Sequence, residues 1–367
     1  MIISILMTVG IVAGIGGFFA LLLIIAESTL MNYGECTITI NDKKKITEKG
    51  GSSLLTTLNN NKIFLSSACG GRGSCGFCKC KILKGGGPLL PTELPFLDEQ
   101  EKKDLVRLAC QVKVKEDISI EIPEDIFAIQ EFAGKVTSIK DMTYDIKELT
   151  IELTMPKEIE FKAGQYVQFV APRYEKSRQS VTRAYSISSN PDHKKFIELI
   201  VRKVPDGLCT TYIHDYLKEG DTVNFTGPFG DFLIQDTHKD MIFIAGGSGK
   251  APVKSMLEYL KAHKSKRKMT YLFGARTEKD LYHVELMKKL EDDLEHFEFV
   301  PILSKPDEGS KWSGKTGYIM PFLKEFIGKP ENTEAYLCGS PGMIDAVIKE
   351  LHNLKITDEQ IFFDPFS

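Results

Sequence analysis

The chain has 367 residues, 42% hydrophobic and 26% charged, a globular composition too long for one ordinary core, so two or three domains are expected. A net charge of −3 gives neither the basic footprint of a nucleic-acid binder nor a strongly acidic tail. Eight cysteines do not make a disulfide scaffold in so long a chain; four fall in one cluster, which in a reducing compartment reads as metal ligation.

From Met1 to Ala26 there is no charge, and the only polar side chains are Ser4 and Thr8. A helix of about 25 residues, each rising about 1.5 Å, more than crosses a hydrocarbon core of about 30 Å. A cleaved signal peptide would have a basic start and an apolar run of only about 7–15 residues. A retained single-pass anchor is therefore expected over residues 1–28, in contact with the membrane through residues 2–26. Lys43, Lys44 and Lys45 follow closely, which favours a cell inner membrane with the soluble domains facing the cytoplasm.

After the anchor, Cys36–Ile40 alternates like a strand and Asn41-Asp42 marks a turn. A short helix is expected over Leu54–Asn60, capped by Ser52 or Ser53. Asp98 and Glu101 form a capping-box start, and Val112–Ile122 supplies another strand or two. An α+β domain, ferredoxin-like (β-grasp), is expected over residues 33–127. From Phe132 to about Gln235, short β-branched segments separated by Gly and Pro read as an antiparallel β-barrel, residues 130–236. From Met241 onward, short apolar strands alternate with helices near Pro252–His263, Leu281–Leu294 and Met343–Leu354. That is the rhythm of an α/β doubly wound sheet, residues 237–367. The basic run Lys261–Lys268 reads as a solvated helix end.

The most specific signal is Cys69-Gly-Gly-Arg-Gly-Ser-Cys75-Gly-Phe-Cys78 with Cys110 far downstream. A [2Fe–2S] cluster needs four thiolates around a rhombic core. Gly70, Gly71, Gly73 and Gly76 let one loop wrap closely and turn its N–H groups toward sulfur. The first interval is one residue longer than in the plant-type pattern. A structural zinc site usually offers two close pairs, and no second pair stands near Cys110. Cys80 and Cys36 read as small buried hydrophobes.

In the barrel, Arg183-Ala-Tyr185-Ser186 offers a guanidinium for a diphosphate, a ring to stack on an isoalloxazine and a hydroxyl near its reactive nitrogen. Gly207-Leu-Cys209-Thr210-Thr211 opens a helix expected to run to Leu217, whose free N–H groups suit a diphosphate; Thr210 and Thr211 taken alone read as ordinary caps. FAD is the cofactor these residues fit. Gly246, Gly247 and Gly249 sit on a strand-to-helix turn that a pyrophosphate can approach, and Cys338-Gly339 ends another strand at the ligand crevice. Cys338 reads either as a nicotinamide contact or as strand-end packing. Arg276 would suit a 2′-phosphate, but nearby Glu278 and Asp280 favour NADH as the substrate.

Together these motifs resemble, across essentially the full length, the family of F subunits of sodium-translocating NADH:quinone oxidoreductases. The resemblance includes Gly85-Gly-Gly-Pro-Leu-Leu-Pro-Thr92-Glu93 and Arg107-Leu-Ala-Cys110-Gln111, while the last two domains look like the wider ferredoxin–NADP reductase superfamily. It implies cluster ligands at Cys69, Cys75, Cys78 and Cys110 and FAD contacts at Arg183, Tyr185, Ser186 and Thr210. It also implies that Phe366 covers the flavin, with Asp364 and Cys338 nearby; Ser186, Cys338 and Asp364 are the candidate catalytic residues. Three features depart from the family pattern: the short interval between Tyr166 and Arg183, Ser188-Ser189-Asn190, and Lys250 in place of an apolar residue. The implied path runs from NADH to FAD to the cluster to a membrane partner, with other subunits of a redox complex as partners and quinone (ubiquinone) reached indirectly. A reductase component serving an oxygenase is the second reading. A non-enzymatic redox sensor is the third, and the complete flavin and NADH motifs weigh against it.

Overall fold

The computed structural model describes residues 2–30 and 33–366. It contains two compact units, Met1–Ser67 with Gly71–Ala128, and Ala68–Gly70 with Ile129–Ser367.

The first unit begins with helix α1 (Ile2–Leu30). Met1 of the expected anchor, and the side chains of residues 2–6, 8 and 23–30, lie outside the described residues. From Val9 to Leu22 the large apolar side chains are exposed. Among the described residues no helix is long and apolar enough to cross a membrane.

Five strands follow: β1 (Glu35–Ile40), β2 (Lys44–Lys49), β3 (Lys79–Lys84), β4 (Val106–Leu108) and β5 (Ile118–Glu121). They form one sheet in the order β2-β1-β5-β3-β4, in which β1 and β5 are parallel and the other pairs antiparallel. Alternation along β1 turns Cys36, Ile38 and Ile40 into the core. Helix α2 (Leu54–Asn60) lays Leu54, Leu55 and Leu58 onto that core, and Ser53, the nearer of the two expected caps, accepts from the Thr56 amide. Helix α3 (Glu99–Lys103) starts on the expected Asp98–Glu101 capping box.

The second unit opens with six antiparallel strands: β6 (Gln130–Asp141), β7 (Ile146–Met155), β8 (Tyr166–Ala171), β9 (Val181–Ser186), β10 (Phe196–Arg202) and β11 (Thr222–Phe229). Their order is β10-β7-β6-β11-β8-β9, and the interior holds Phe132 stacked on Phe225, with Leu149, Val167 and Phe169 fully buried. Helix α4 (Leu208–Thr211) is followed directly by a π turn over Tyr212–Tyr216. The helix expected to reach Leu217 thus ends wide, the Leu217 amide bonding back five residues to the Tyr212 carbonyl.

A six-stranded parallel sheet completes the unit: β12 (Asp240–Gly246), β13 (Met269–Ala275), β14 (Phe297–Leu303), β15 (Lys315–Thr316), β16 (Thr333–Gly339) and β17 (Ile361–Pro365), in the order β15-β14-β13-β12-β16-β17. Burial on both faces explains the continuous apolar runs. Met241, Phe243 and Ala245 face one core with helices α5 (Lys250–Ala262) and α6 (Val284–Asp293). Ile242 and Ile244 face the other with α7 (Leu323–Phe326) and α8 (Pro341–Asn353). Helix α6 starts three residues later than expected because His283 holds a left-handed φ of 54°. The basic run at the end of α5 is not wholly solvated either: Arg267 is largely buried, pairs with Glu334 at 2.6 Å and donates to the Gln235 and Lys239 carbonyls.

Candidate cofactor sites

The cysteine loop joins α2 to β3. Cys69 and Cys78 are buried, while Cys75 and Cys110 are half-buried. The Cys78 and Cys110 thiols are hydrogen-bonded to one another, and the Gln111 side-chain amide donates to Cys110 Sγ at 3.5 Å. Gly73 shows why the loop needs glycine: its φ is +74°, and a Cβ there would collide with the Gln111 amide. Among the described residues no three His, Cys, Asp or Glu side chains are gathered to hold a single metal ion. Within the first unit, the Cys78–Cys110 thiol pair with the Gln111 amide donating to Cys110 is the kind of donor-supported sulfur that iron–sulfur ligation uses. Cys80 and Cys36 are buried in the hydrophobic core, as small hydrophobes are.

Behind Cys110 lies a buried ion pair. Arg107 on β4 donates to Glu93 through Nε at 2.9 Å and Nη2 at 2.6 Å. Its remaining N–H groups reach the carbonyls of Gly86, Gly87 and Pro88. Glu93 also accepts from the Leu90 and Leu108 amides. Burial alone would raise the Glu93 pKa, but the guanidinium and the two amides outweigh it and hold it below the usual range.

In the barrel, Tyr185 packs edge-on to Phe169, and burial pushes its hydroxyl pKa well up. The Tyr185 hydroxyl makes no geometric hydrogen bond among the described residues. Its near neighbour is the buried Cys209 thiol, a weak partner that leaves the hydroxyl able to take a stronger one. Arg183 donates to the Thr182 carbonyl at 2.6 Å. The Thr210 hydroxyl accepts from the Val204 amide and donates to the Gly207 carbonyl. Its side chain is thus engaged within the turn that opens α4, whose N-cap is Gly207. Beside Thr211 a cavity of about 980 Å³ is lined by Lys176, Arg202 and Lys203. These cations were missed in the sequence because a basic residue at the end of β10 looks like any solvated strand end.

A second cavity, about 220 Å³, is lined by Gly246, Gly247, Gly274, Arg276, Asp280 and Ser340, and by Arg202 from the barrel. Gly249 is pressed against the end of β16, where a Cβ would strike the Cys338 carbonyl. The strand-to-helix turn and the Cys338-Gly339 strand end thus meet, as a dinucleotide crevice requires.

The last strand closes the arrangement. β17 pairs with β16 so that Asp364 lies opposite Cys338, and the Phe366 amide donates to the Gly339 carbonyl at 2.8 Å. Ser186 Oγ donates to Asp364 Oδ2 at 3.4 Å, joining residues 178 apart in sequence. Burial raises the Asp364 pKa to about 6 against the opposing pull of that bond. Cys338 is fully buried with Phe366 packed against the same core, so packing is the reading the structure favours. Its thiol, pushed well up by burial and then by Asp364, is neutral rather than a thiolate.

The main-chain carbonyls of Ser188 and Ser189, two positions that depart from the family pattern, are held by helix α5. Lys254 of α5, buried, pairs with Glu198 at 2.6 Å and donates to the Ser188 carbonyl, and Ser255 donates to the Ser189 carbonyl. These bonds fix the barrel against the helix that begins at the glycine turn.

Residues 38–115 match the family model of a 2Fe-2S iron-sulfur cluster binding domain, 133–234 an oxidoreductase FAD-binding domain, and 243–349 an oxidoreductase NAD-binding domain. The chain is 37% identical to the F subunit of the Na(+)-translocating NADH-quinone reductase of Serratia proteamaculans, covering 99% of both chains. The corresponding F subunit in Histophilus somni is 39% identical, with 95% of each chain covered. Among solved structures, an Amycolatopsis cytochrome P450 reductase superposes with a TM-score of 0.74 at 25% identity, over 90% of this chain and 98% of that one. The ferredoxin reductase of a carbazole 1,9a-dioxygenase shares the fold, with a TM-score of 0.70 at 23% identity over 91% and 99%. With its FAD, NADH and [2Fe–2S] modules in one chain, the protein is an NADH-oxidising flavo-iron–sulfur oxidoreductase and belongs to the family of F subunits of Na(+)-translocating NADH-quinone reductases.

Proposed function

We propose that the chain is the electron-input subunit of a sodium-translocating NADH:quinone reductase, held at the inner membrane beside the other subunits by residues 2–26. Its parts are an anchor (residues 1–28), a cluster domain (33–127), a flavin barrel (130–236) and an NADH domain (237–367). The observation that carries the reading is the Ser186–Asp364 bond, which brings the barrel motif to the last strand of the nucleotide sheet.

In this reading Cys69, Cys75, Cys78 and Cys110 hold the cluster. Arg183, Tyr185, Ser186, Gly207, Thr210 and Thr211 hold FAD, the last three chiefly through the turn that opens α4. Gly246, Gly247, Gly249, Cys338 and Gly339 receive NADH, and the acids Glu278 and Asp280 disfavour a 2′-phosphate. When bound, FAD accepts an electron pair and releases single electrons, which the cluster carries onward to the membrane partner and so to quinone. Phe366, its amide tied to the Gly339 carbonyl, covers the flavin until nicotinamide displaces it. With NADH bound, the Asp364 carboxylate, held by Ser186 and paired in register with Cys338, would offset positive charge on the nicotinamide. Ser186 orients that carboxylate, and Cys338 fills the strand end as a neutral thiol.

Adding NADH to the full-length protein should bleach the flavin and raise the electron paramagnetic resonance signal of a reduced [2Fe–2S] cluster. Cys75→Ser should lose the signal and keep the bleaching. A native protein that does not bleach would overturn the reading. The likeness to a P450 reductase favours, as a second reading, a membrane-anchored reductase serving an oxygenase. Affinity isolation from membranes separates the two: recovery without other quinone-reductase subunits excludes the pump assignment.

A further inference from the structure

Lys250 is fully buried, at the first position of α5, where the positive end of the helix dipole disfavours a cation. Among the described residues no carboxylate pairs with it, and burial pushes its pKa well below the usual lysine range. Four aromatic rings surround the ammonium. Nζ lies 3.8 Å from the Phe273 centroid, 4.6 Å from Tyr282, 5.3 Å from Phe299 and 5.9 Å from Tyr271, an arrangement that attracts a cation through the ring faces. One hydrogen bond completes the cage, from Nζ to the Tyr282 carbonyl at 2.6 Å. A methionine would fill such a space without desolvating a charge. The lysine is costly as core filler, so its ammonium has a task.

Tyr282 shows the task. Its hydroxyl donates to the Gly247 carbonyl at 2.8 Å, and the Lys250 amide donates to the same carbonyl. A closed circuit results: Lys250 Nζ holds the Tyr282 backbone, the Tyr282 side chain holds the Gly247 carbonyl, and the Lys250 backbone holds it again. The planar trans peptide sets the Ser248 N–H opposite that carbonyl. Fixing the carbonyl toward the cage therefore turns the Ser248 amide away from it, on the turn whose glycines line the 220 Å³ cavity.

We propose that Lys250 is a positioning residue for the dinucleotide: caged by aromatic rings, it braces Tyr282 so that the Gly247–Ser248 peptide presents its N–H to the NADH diphosphate. The inference rests on the reading of Gly246–Gly249 as the diphosphate turn. It explains why a residue that touches no solvent departs from an apolar pattern: the ammonium makes a directed bond to a carbonyl that a thioether cannot make.

The test is calorimetric titration of the full-length protein with ADP-ribose, which carries the diphosphate and adenosine without hydride chemistry. Lys250→Met and Tyr282→Phe should each raise the dissociation constant about tenfold, the scale of one buried hydrogen bond. Flavin content and the dithionite-reduced cluster signal should stay unchanged. Because both residues act through one peptide, the double variant should bind about as weakly as either single one. A hundredfold loss in the double variant would mean independent actions and would overturn the brace. Native-like binding in a folded Lys250→Met also overturns it. Should that variant not fold, Tyr282→Phe removes only a hydroxyl, and native-like binding by it overturns the proposal as well. Failure of the native protein to bind ADP-ribose is a different result, and it would remove the assignment of the turn itself.

Discussion

Asp364 carries a carboxyl whose pKa is raised to about 6. Burial raises it, and the Ser186 hydroxyl holds it back. A raised folded-state value means that the group's contribution to stability is complete below the usual carboxylate pKa of about 3.9 and is lost as pH rises through about 6. The ionised form, costly to the fold, is the one that offsets positive charge on nicotinamide. The rate of flavin reduction by NADH should therefore rise as pH increases through about 6, and Asp364→Asn should flatten that rise. Stopped-flow traces at a series of pH values decide it; the same midpoint in the variant would rule the carboxylate out. In the sequence, Ser186 was legible from its motif. Asp364 was not: its meaning comes from strand pairing across the sheet, and only family resemblance pointed to it. Lys250 was noticed for departing from a pattern, but its cage draws on rings from two other strands and a loop, which no local periodicity reveals.

Among the elements, the loop from Gly85 to Glu93 is the clearest case of structure built around one pair. The segment has almost no apolar burial of its own: Leu89 and Leu90 are exposed. What orders it is Arg107, whose guanidinium gathers three loop carbonyls and the Glu93 carboxylate. Arg107 stands on β4 three residues before Cys110, so the same bracket steadies the strand that leads into the turn carrying Cys110, a proposed cluster ligand. Glu93→Gln would leave a buried guanidinium uncompensated, a loss on the order of 3–5 kcal/mol. Denaturant titration should show the cluster chromophore lost earlier while the flavin transition holds its midpoint; a shift of less than about 1 kcal/mol would deny the bracket its role. The pair also sets an acid limit. Glu93 is held below its usual range, so its contribution is present above the ordinary glutamate pKa of about 4.3 and disappears as pH falls through the depressed value. Elements with strong local signals were legible, the parallel strands and the two capped helices of the cluster unit among them. The π turn after α4 and the late start of α6 were not, because each depends on a backbone conformation that hydrophobic spacing does not encode.

For the molecule as a whole, the open question is what covers α1. The helix has 29 residues, and the side chains described along it are those of Met7 and of residues 9–22. Between Val9 and Leu22 it exposes Ile11, Val12, Ile15, Phe18, Phe19 and Leu21 on one half of the helix, while Gly10, Ala13, Gly16, Gly17 and Ala20 fill the other half, so neither half is polar. An apolar stripe would seek a protein core, whereas apolar residues on every side call for lipid or another membrane helix. The full-length chain should therefore sediment with membranes and resist carbonate extraction. A form lacking residues 1–30 should be soluble, with flavin and cluster retained, because neither set of proposed ligands includes a residue of the helix. That form should still be reduced by NADH in solution, yet fail to pass electrons to the acceptor in membranes stripped of the native chain. A truncated protein that remains in the pellet, or one that reduces the membrane acceptor as fast as the intact chain, would show that α1 is not what brings the cluster to its partner.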